Sequence, residues 1–321
     1  MGCGGSGTTI GTSLGVYQEL GHVNNHAPFI HAVANSGDTI GSIADSGEYD
    51  SGYSWTGTSY HRLGIPAGTF SSISPNGTWI VSMYVENRNT NPKVRIVRSS
   101  RSTGETNFAS DPMPLTGITE IQIADDGTVA GVGMIGHAPE TWCKFAWSGS
   151  GTVSTTQGYP YDLVLPTPPD TTLYMANAFS HNGQFACGSV EHTVDGKWTS
   201  EGIVWNLTAG TYELTGTPDI PSRPYSSFYL SHISDDGKSG IGSIRENWAA
   251  HQLFGNSFAG IWHAGSIPQK TIEFVHQQGQ GSNYDTIEPT SQYISPDGKV
   301  LAGFIWSSTT SKLASFTYRQ H

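Results

Sequence analysis

Charge is scarce in this chain: Asp, Glu, Lys and Arg together make up 13 % of its 321 residues. What charge there is leans acidic, 15 basic against 26 acidic residues, for a formal net charge of −11. A nucleic-acid binder needs a basic face to displace counterions, and no basic run is present to build one. Long apolar runs are missing too, and nothing approaches the ~18 residues that mark a membrane-spanning helix. Nucleic-acid and integral-membrane readings are therefore set aside. Cysteine is also rare, and three of them do not make a disulfide framework. Cys143 and Cys187 either pair or lie buried as small apolar residues, and the second reading is favoured.

What the chain has is rhythm. The phrase Ile73-Ser74-Pro75-Asn76-Gly77 returns as Ile233-Ser234-Asp235-Asp236-Gly237 and Ile294-Ser295-Pro296-Asp297-Gly298, with looser copies ending at Gly37, Gly127 and Gly183. Successive copies lie 40 to 61 residues apart, the spacing of propeller blades or solenoid repeats. Each copy carries an apolar anchor four positions before its glycine (Val33, Ile73, Ile123, Phe179, Ile233 and Ile294). The Asn-Gly, Asp-Gly or Ser-Gly pair then turns a hairpin.

A second strand rich in small residues follows, as in Thr39-Ile40-Gly41-Ser42-Ile43, and is expected to let neighbouring sheets approach closely. A third carries an aromatic landmark, Trp55, Trp147, Trp205, Trp262 or Phe316, where the second repeat has Val94-Arg95-Ile96-Val97 instead. Recurrence at one position predicts packing between sheets rather than a sugar-binding row. Fourth strands are expected through Leu63, Leu115, Leu163, Leu214 and Ile272. The last repeat lacks one, while Tyr17-Gln18-Glu19-Leu20-Gly21 mimics Tyr60-His61-Arg62-Leu63-Gly64, the fourth strand of the first. The expected fold is all-β: a six-bladed β-propeller of four-stranded blades, its ring closed by an N-terminal strand completing the last blade. Residues 1–12 form a Gly/Ser/Thr-rich leader and residues 13–321 the single propeller domain.

Residues Tyr53-Ser54-Trp55-Thr56-Gly57 through Phe70-Ser71-Ser72-Ile73-Ser74-Pro75-Asn76-Gly77 resemble the HAF-type extracellular repeat of bacterial surface and secreted proteins. Ile294-Ser295-Pro296-Asp297-Gly298-Lys299 is similar to the propeller repeat of TolB and related periplasmic proteins. Together the two resemblances span most of residues 17 to 318. They imply a propeller working outside the cytoplasm, and they imply no reaction.

Cys3 in Gly2-Cys3-Gly4-Gly5-Ser6-Gly7 looks like the start of a mature bacterial lipoprotein, but no apolar segment precedes it as written. Lipid anchoring through Cys3 after a trimmed signal, carriage on a virus particle and a plain flexible leader all stay open.

Function is expected on the face made by the loops that join second to third strands and those that enter first strands. Charged, imidazole and aromatic residues converge there. The candidate ligand-binding set is Glu86, Arg88, His137, Trp142, Glu191, His192, Trp198, Arg245, Glu246, Trp248, His251 and Tyr284. Aromatic platforms edged by carboxylates and amides suit sugars, so the leading expectation is a non-catalytic binding or adhesion module for a glycan or a protein partner. One alternative is a structural or decoration subunit of a virion or surface assembly, held by its N-terminal tail. Another is a polysaccharide lyase or glycoside hydrolase, with His137, His192 or His251 as base and Arg88 or Arg245 neutralising a uronate.

No catalytic residue, metal or cofactor is assigned. His22-x-x-x-His26 has a ligand interval but lies in an Asn/Pro loop. Asp125-Asp126-Gly127 and Asp235-Asp236-Gly237 fall in the common turn, and Gly131-x-Gly133-x-x-Gly136 opens no helix.

Overall fold

The recurring phrase builds its own turn. Ser74 Oγ donates to Asn76 Oδ1 (2.9 Å) and accepts from the Trp79 amide (3.0 Å), while Asn76 Oδ1 also accepts from the Thr78 amide (2.8 Å). Gly77 completes the turn at φ +75°, a region open to glycine and strained for most other residues. The same contacts recur at Ser180/Asn182, Ser234/Asp236 and Ser295/Asp297. Four of six copies thus satisfy their backbone with one buried hydroxyl and one amide or carboxylate.

The computed structural model describes residues 15–24, 26–43, 52–63, 70–86, 93–110, 115–135, 141–157, 165–194, 197–218, 227–245, 257–278, 286–307 and 312–320. They form six four-stranded antiparallel sheets arranged as a β-propeller. Strand β1 (Val16–Glu19) belongs to the last blade. Blade 1 holds β2 (Pro28–Val33), β3 (Thr39–Ile43), β4 (Gly52–Thr56) and β5 (Ser59–Arg62). Blade 2 holds β6 (Phe70–Ile73), β7 (Trp79–Glu86), β8 (Lys93–Ser100) and β9 (Thr106–Phe108). Blade 3 holds β10 (Leu115–Ile123), β11 (Val129–Ile135), β12 (Thr141–Trp147) and β13 (Ser154–Gln157). Blade 4 holds β14 (Thr171–Phe179), β15 (Phe185–Val194), β16 (Lys197–Asn206) and β17 (Thr211–Leu214). Blade 5 holds β18 (Ser227–Ile233), β19 (Ser239–Arg245), β20 (Ser257–His263) and β21 (Gln269–Lys270), followed by the helix α1 (Thr271–Gln277). Blade 6 holds β22 (Thr286–Ile294), β23 (Val300–Ser307), β24 (Lys312–Arg319) and β1.

The expected closure is present: Tyr17 lies opposite Tyr318 and Glu19 opposite Phe316 in an antiparallel pair. The Leu20 amide donates to the Ser315 carbonyl (2.8 Å), and Trp55 Nε1 donates to the Gly21 carbonyl (2.9 Å), tying the closing segment to both neighbouring blades. The landmark aromatics are consumed in packing, with Trp55, Trp147, Trp205, Trp262 and Phe316 all buried.

Two expectations need correction. Leu115 opens the inner strand of blade 3, and the fourth strand of blade 2 is the short β9. Ile272 is buried in the first turn of α1, two residues beyond the fourth strand. Leu163 falls outside the described residues. The fourth strands are outer edges with exposed residues, so apolar anchors point to the wrong segments. The small second-strand residues also serve another purpose. In blades 1, 4 and 5 the inner strand bulges at His31, Asn177 and Ser231, leaving each out of register with the next strand. A Cβ on Gly41, Gly188 or Gly242 would fall 1.8–2.0 Å from an inner-strand carbonyl. These glycines accommodate a bulge within their own sheet. Cys143 and Cys187 are both buried and free, so they do not pair with one another.

Five of the six blade junctions share an apolar cluster. Ile40 of blade 1 meets Ile73, Ile80 and Val97 of blade 2. Val81 and Ile96 meet Ile121 and Trp147 at the next junction. Further clusters join blades 4 and 5, 5 and 6, and 6 and 1. Among the described residues the junction of blades 3 and 4 has none. Blade 3 turns the row Gln122–Ala130–Ala146–Ser154 toward that side, and Ala130, Ala146 and Ser154 are exposed. The matching Ile40 and Ser54 of blade 1 are buried. What crosses this seam is polar.

Candidate functional site

The inner strands β2, β6, β10, β14, β18 and β22 surround the axis and enclose a cavity of about 270 Å³ near the turn face. Bulges re-aim side chains, and His31 and Asn177 at their bulges line this cavity. Glu120 follows directly on a third bulge, at Thr119. Gln122, His232 and Tyr293 line it from the position just before each blade's apolar anchor. A hydrogen-bonded chain crosses its floor. Ser72 Oγ donates to Gln122 Oε1 (3.2 Å), and Gln122 Nε2 donates to Glu120 Oε1 (3.3 Å). The Phe179 amide donates to the same carboxylate oxygen (3.2 Å), so Glu120 bridges the polar seam between blades 3 and 4. Asn177, which lines the cavity, donates from Nδ2 to the Leu230 carbonyl (2.7 Å), a bond that does not use its amide oxygen.

Burial dominates the electrostatics. It raises Glu120 to about 7, against which the hydrogen bonds from Gln122 and Phe179 act in the opposite direction. It lowers His31 and His232 to about 4, so both imidazoles are neutral at physiological pH. His31 Nε2 and Ser42 Oγ share a hydrogen bond (3.0 Å), and the His232 ring lies 5.3 Å from that of Tyr293. No Lys or Arg lines the cavity among the described residues. Nor do three or more His, Cys, Asp or Glu side chains gather there or elsewhere in the described residues as a metal site. Toward the opposite end of the inner strands Phe29 and Met175 are exposed, 39 % and 56 %, and the Phe29 ring lies 4.9 Å from that of Phe304. Arg245 places its guanidinium 4.5 Å over the Tyr229 ring.

The predicted ligand-binding residues lie elsewhere. Glu86, Trp142, Glu191, His192, Trp198 and Arg245 sit at the loop-face ends of second and third strands, as part of the sheets rather than in loops. In blade 4 the pairing runs to Val194 opposite Lys197, so Glu191, His192 and Trp198 share one extended hairpin. Arg88, His137, Glu246, Trp248, His251 and Tyr284 fall outside the described residues. None of the described candidates lines the axial cavity. The cavity residues were missed because no inner-strand position repeats them: the place just before the anchor, for example, holds Ala32, Ser72, Gln122, Ala178, His232 and Tyr293 in the six blades. An aligned reading of the six inner strands for the odd polar residue is the signal that finds them.

No family model matches the chain, and no curated protein matches it. Among solved structures it is similar to the oligogalacturonate lyase of Vibrio parahaemolyticus, at 9 % identity over 95 % of this chain and 96 % of that one, with a TM-score of 0.55. It is also similar to the β-propeller domain of the Trilobed protease from Pyrococcus furiosus (11 % identity, 91 % and 82 % covered, TM-score 0.45). A third likeness is to TolB from Acinetobacter baumannii, at 13 % identity, 84 % of this chain, 60 % of that one and a TM-score of 0.41. At these identities the likeness shows the fold alone. The HAF-type resemblance remains one of sequence motifs, and no helix of the described residues is long and apolar enough to cross a membrane.

Proposed function

We propose that this propeller is a non-catalytic binding module that takes a glycan or a protein partner on its loop face, outside the cell or on a particle surface. The observation that carries the reading is the division of labour among its residues. The blade aromatics are spent on packing, while Glu86, Trp142, Glu191, His192, Trp198 and Arg245 end their strands on one side of the disc, above an axis lined with hydrogen-bonding groups. Aromatic and polar groups clustered on a rigid frame suit recognition of a polar surface.

Polysaccharide elimination is the second reading: the cavity imidazoles of His31 and His232 are neutral and can accept a proton, although burial, which lowers them to about 4, makes them weak bases. A uronate also needs a cation to stabilise its developing charge, and the described lining offers none. The assembly-subunit reading turns on residues 2–12, which lie outside the described residues.

A glycan array and a protein pull-down with the wild-type chain should give a saturable partner. The Trp142→Ala/Trp198→Ala double variant should lose at least about tenfold in affinity with its melting temperature unchanged. Blank arrays and pull-downs at high concentration, or release of unsaturated uronate from pectin, alginate or ulvan, would overturn the reading.

A further inference from the structure

The axial cavity is short of one positive charge. Glu120 sits among amides, hydroxyls and neutral imidazoles, held on one oxygen by Gln122 and the Phe179 amide. A carboxylate enclosed without a counter-charge is destabilised, and this one accordingly holds its proton up to about pH 7. Other charged or titratable groups approach it from three elements. Lys144 is exposed on the same face of blade 3, two strands outward in the cross-strand row Glu120–Val132–Lys144, roughly 10 Å away at the usual strand spacing. Cys187 comes from blade 4, where burial first and the Glu120 charge second push its thiol up. His181, in the blade 4 turn, donates from Nε2 to the Ile123 carbonyl (2.6 Å) and has Nδ1 3.9 Å from Asp235 of blade 5. None of these supplies an ammonium or guanidinium to the cavity itself.

We infer that the axial cavity is a binding site for a small organic cation bearing a primary ammonium, with Glu120 as its counter-charge. An ammonium has three N–H donors and no acceptor. The cavity offers matching acceptors in the Glu120 carboxylate and the Asn177 side-chain oxygen, and Tyr293 presents an aromatic ring of the kind that attracts cations. A volume of about 270 Å³ limits the occupant to roughly monosaccharide size. Anions are disfavoured by the same inventory. The site lies on the inner strands, away from the loop-face residues, so it goes beyond the glycan or partner reading and stands independently of it.

Isothermal titration with glucosamine against glucose tests the inference, because the two probes differ chiefly in the ammonium. Glucosamine should bind saturably at pH 7.2, where its amine is still mostly an ammonium and Glu120 is more than half ionised, and at least about tenfold more tightly than glucose. Its affinity should fall at pH 5.5, where Glu120 is protonated in the free protein. Glu120→Gln, which keeps the acceptor for Phe179, should weaken glucosamine by at least about tenfold without lowering the melting temperature. Asn177→Ala should weaken it by a smaller factor. Equal affinity for glucose, an unchanged affinity in Glu120→Gln, or no heat with glucosamine at about 50 mM each overturns the proposal. Blank glycan arrays beside glucosamine binding would sink the loop-face reading and leave this one standing.

Discussion

Glu120 concentrates several demands on one side chain. It links blade 3 to blade 4, lines the cavity and stays enclosed without a cation, and burial raises it from 4.5 to about 7. Between those two values the folded protein holds a proton that the unfolded chain has released. Stability from this group is therefore fully present below pH 4.5 and is lost as pH rises through 7. His31 and His232 act in the opposite sense, since burial lowers them from 6.5 to about 4. Their contribution is present above pH 6.5 and disappears as pH falls toward 4. Wild-type stability should accordingly peak near pH 6 to 7. Melting curves from pH 5 to 8 should show Glu120→Gln close to wild type at pH 5 and more stable at pH 8, by on the order of 2 to 3 kcal/mol. A variant that melts below wild type at pH 8 would show that the ionised carboxylate holds the seam together.

At the scale of the element, the inner-strand bulge and the glycine facing it form one device. The bulge turns His31 and Asn177 toward the axis, and Gly41 and Gly188 leave room for the displaced carbonyl. Blade 2 checks the pairing: β6 runs in unbroken register, and Ser82 occupies the place of the glycine. Gly188→Ala and Gly242→Ala should each destabilise by about 2 to 4 kcal/mol, because the new methyl meets backbone rather than a movable side chain. Gly210→Ala, at a turn with open space, tests backbone conformation alone (φ +65°) and should cost about 1 kcal/mol. Equal effects in chemical denaturation would refute the carbonyl clash. The same comparison explains what could be read in advance. Turn serines and third-strand tryptophans recur at fixed places because every blade needs the same hairpin and the same packing, so the blade count is legible. The cavity residues recur nowhere: His31, Glu120, Asn177 and His232 each appear once, and a repeat pattern averages them away. Fourth strands were misplaced at Leu115 and Ile272 because an exposed edge such as Ser59–Arg62 carries no apolar signal.

At the scale of the whole molecule, the disc is a ring with two different kinds of joint. On the turn face neighbouring turns are linked all the way round. The Asn35 amide donates to the Pro75 carbonyl (2.9 Å) and the Asp235 amide to the Pro296 carbonyl (2.6 Å). The Asn76, Asn182 and Asp297 amides donate to Asp125, Asp235 and Asn35 side chains, and His181 bridges to Ile123. Prolines stand at 75 and 296, where the ring calls for a carbonyl and a backbone N–H would go unpaired. Behind this ring, among the described residues, five junctions are apolar and the sixth, between blades 3 and 4, is polar and partly open to water. Apolar burial resists opening far more than exposed polar contacts do. The ring should therefore yield first at that seam and last at the strand pair that closes it. Native-state hydrogen exchange resolved by residue measures both at once. The amides of Val16–Glu19 should be protected together with Lys312–Arg319 at the level of global unfolding, while β10 and β14 exchange by an easier opening. Rapid exchange of Val16–Glu19, with β23 and β24 still protected, would contradict closure by the N-terminal strand and the six-bladed ring built on it.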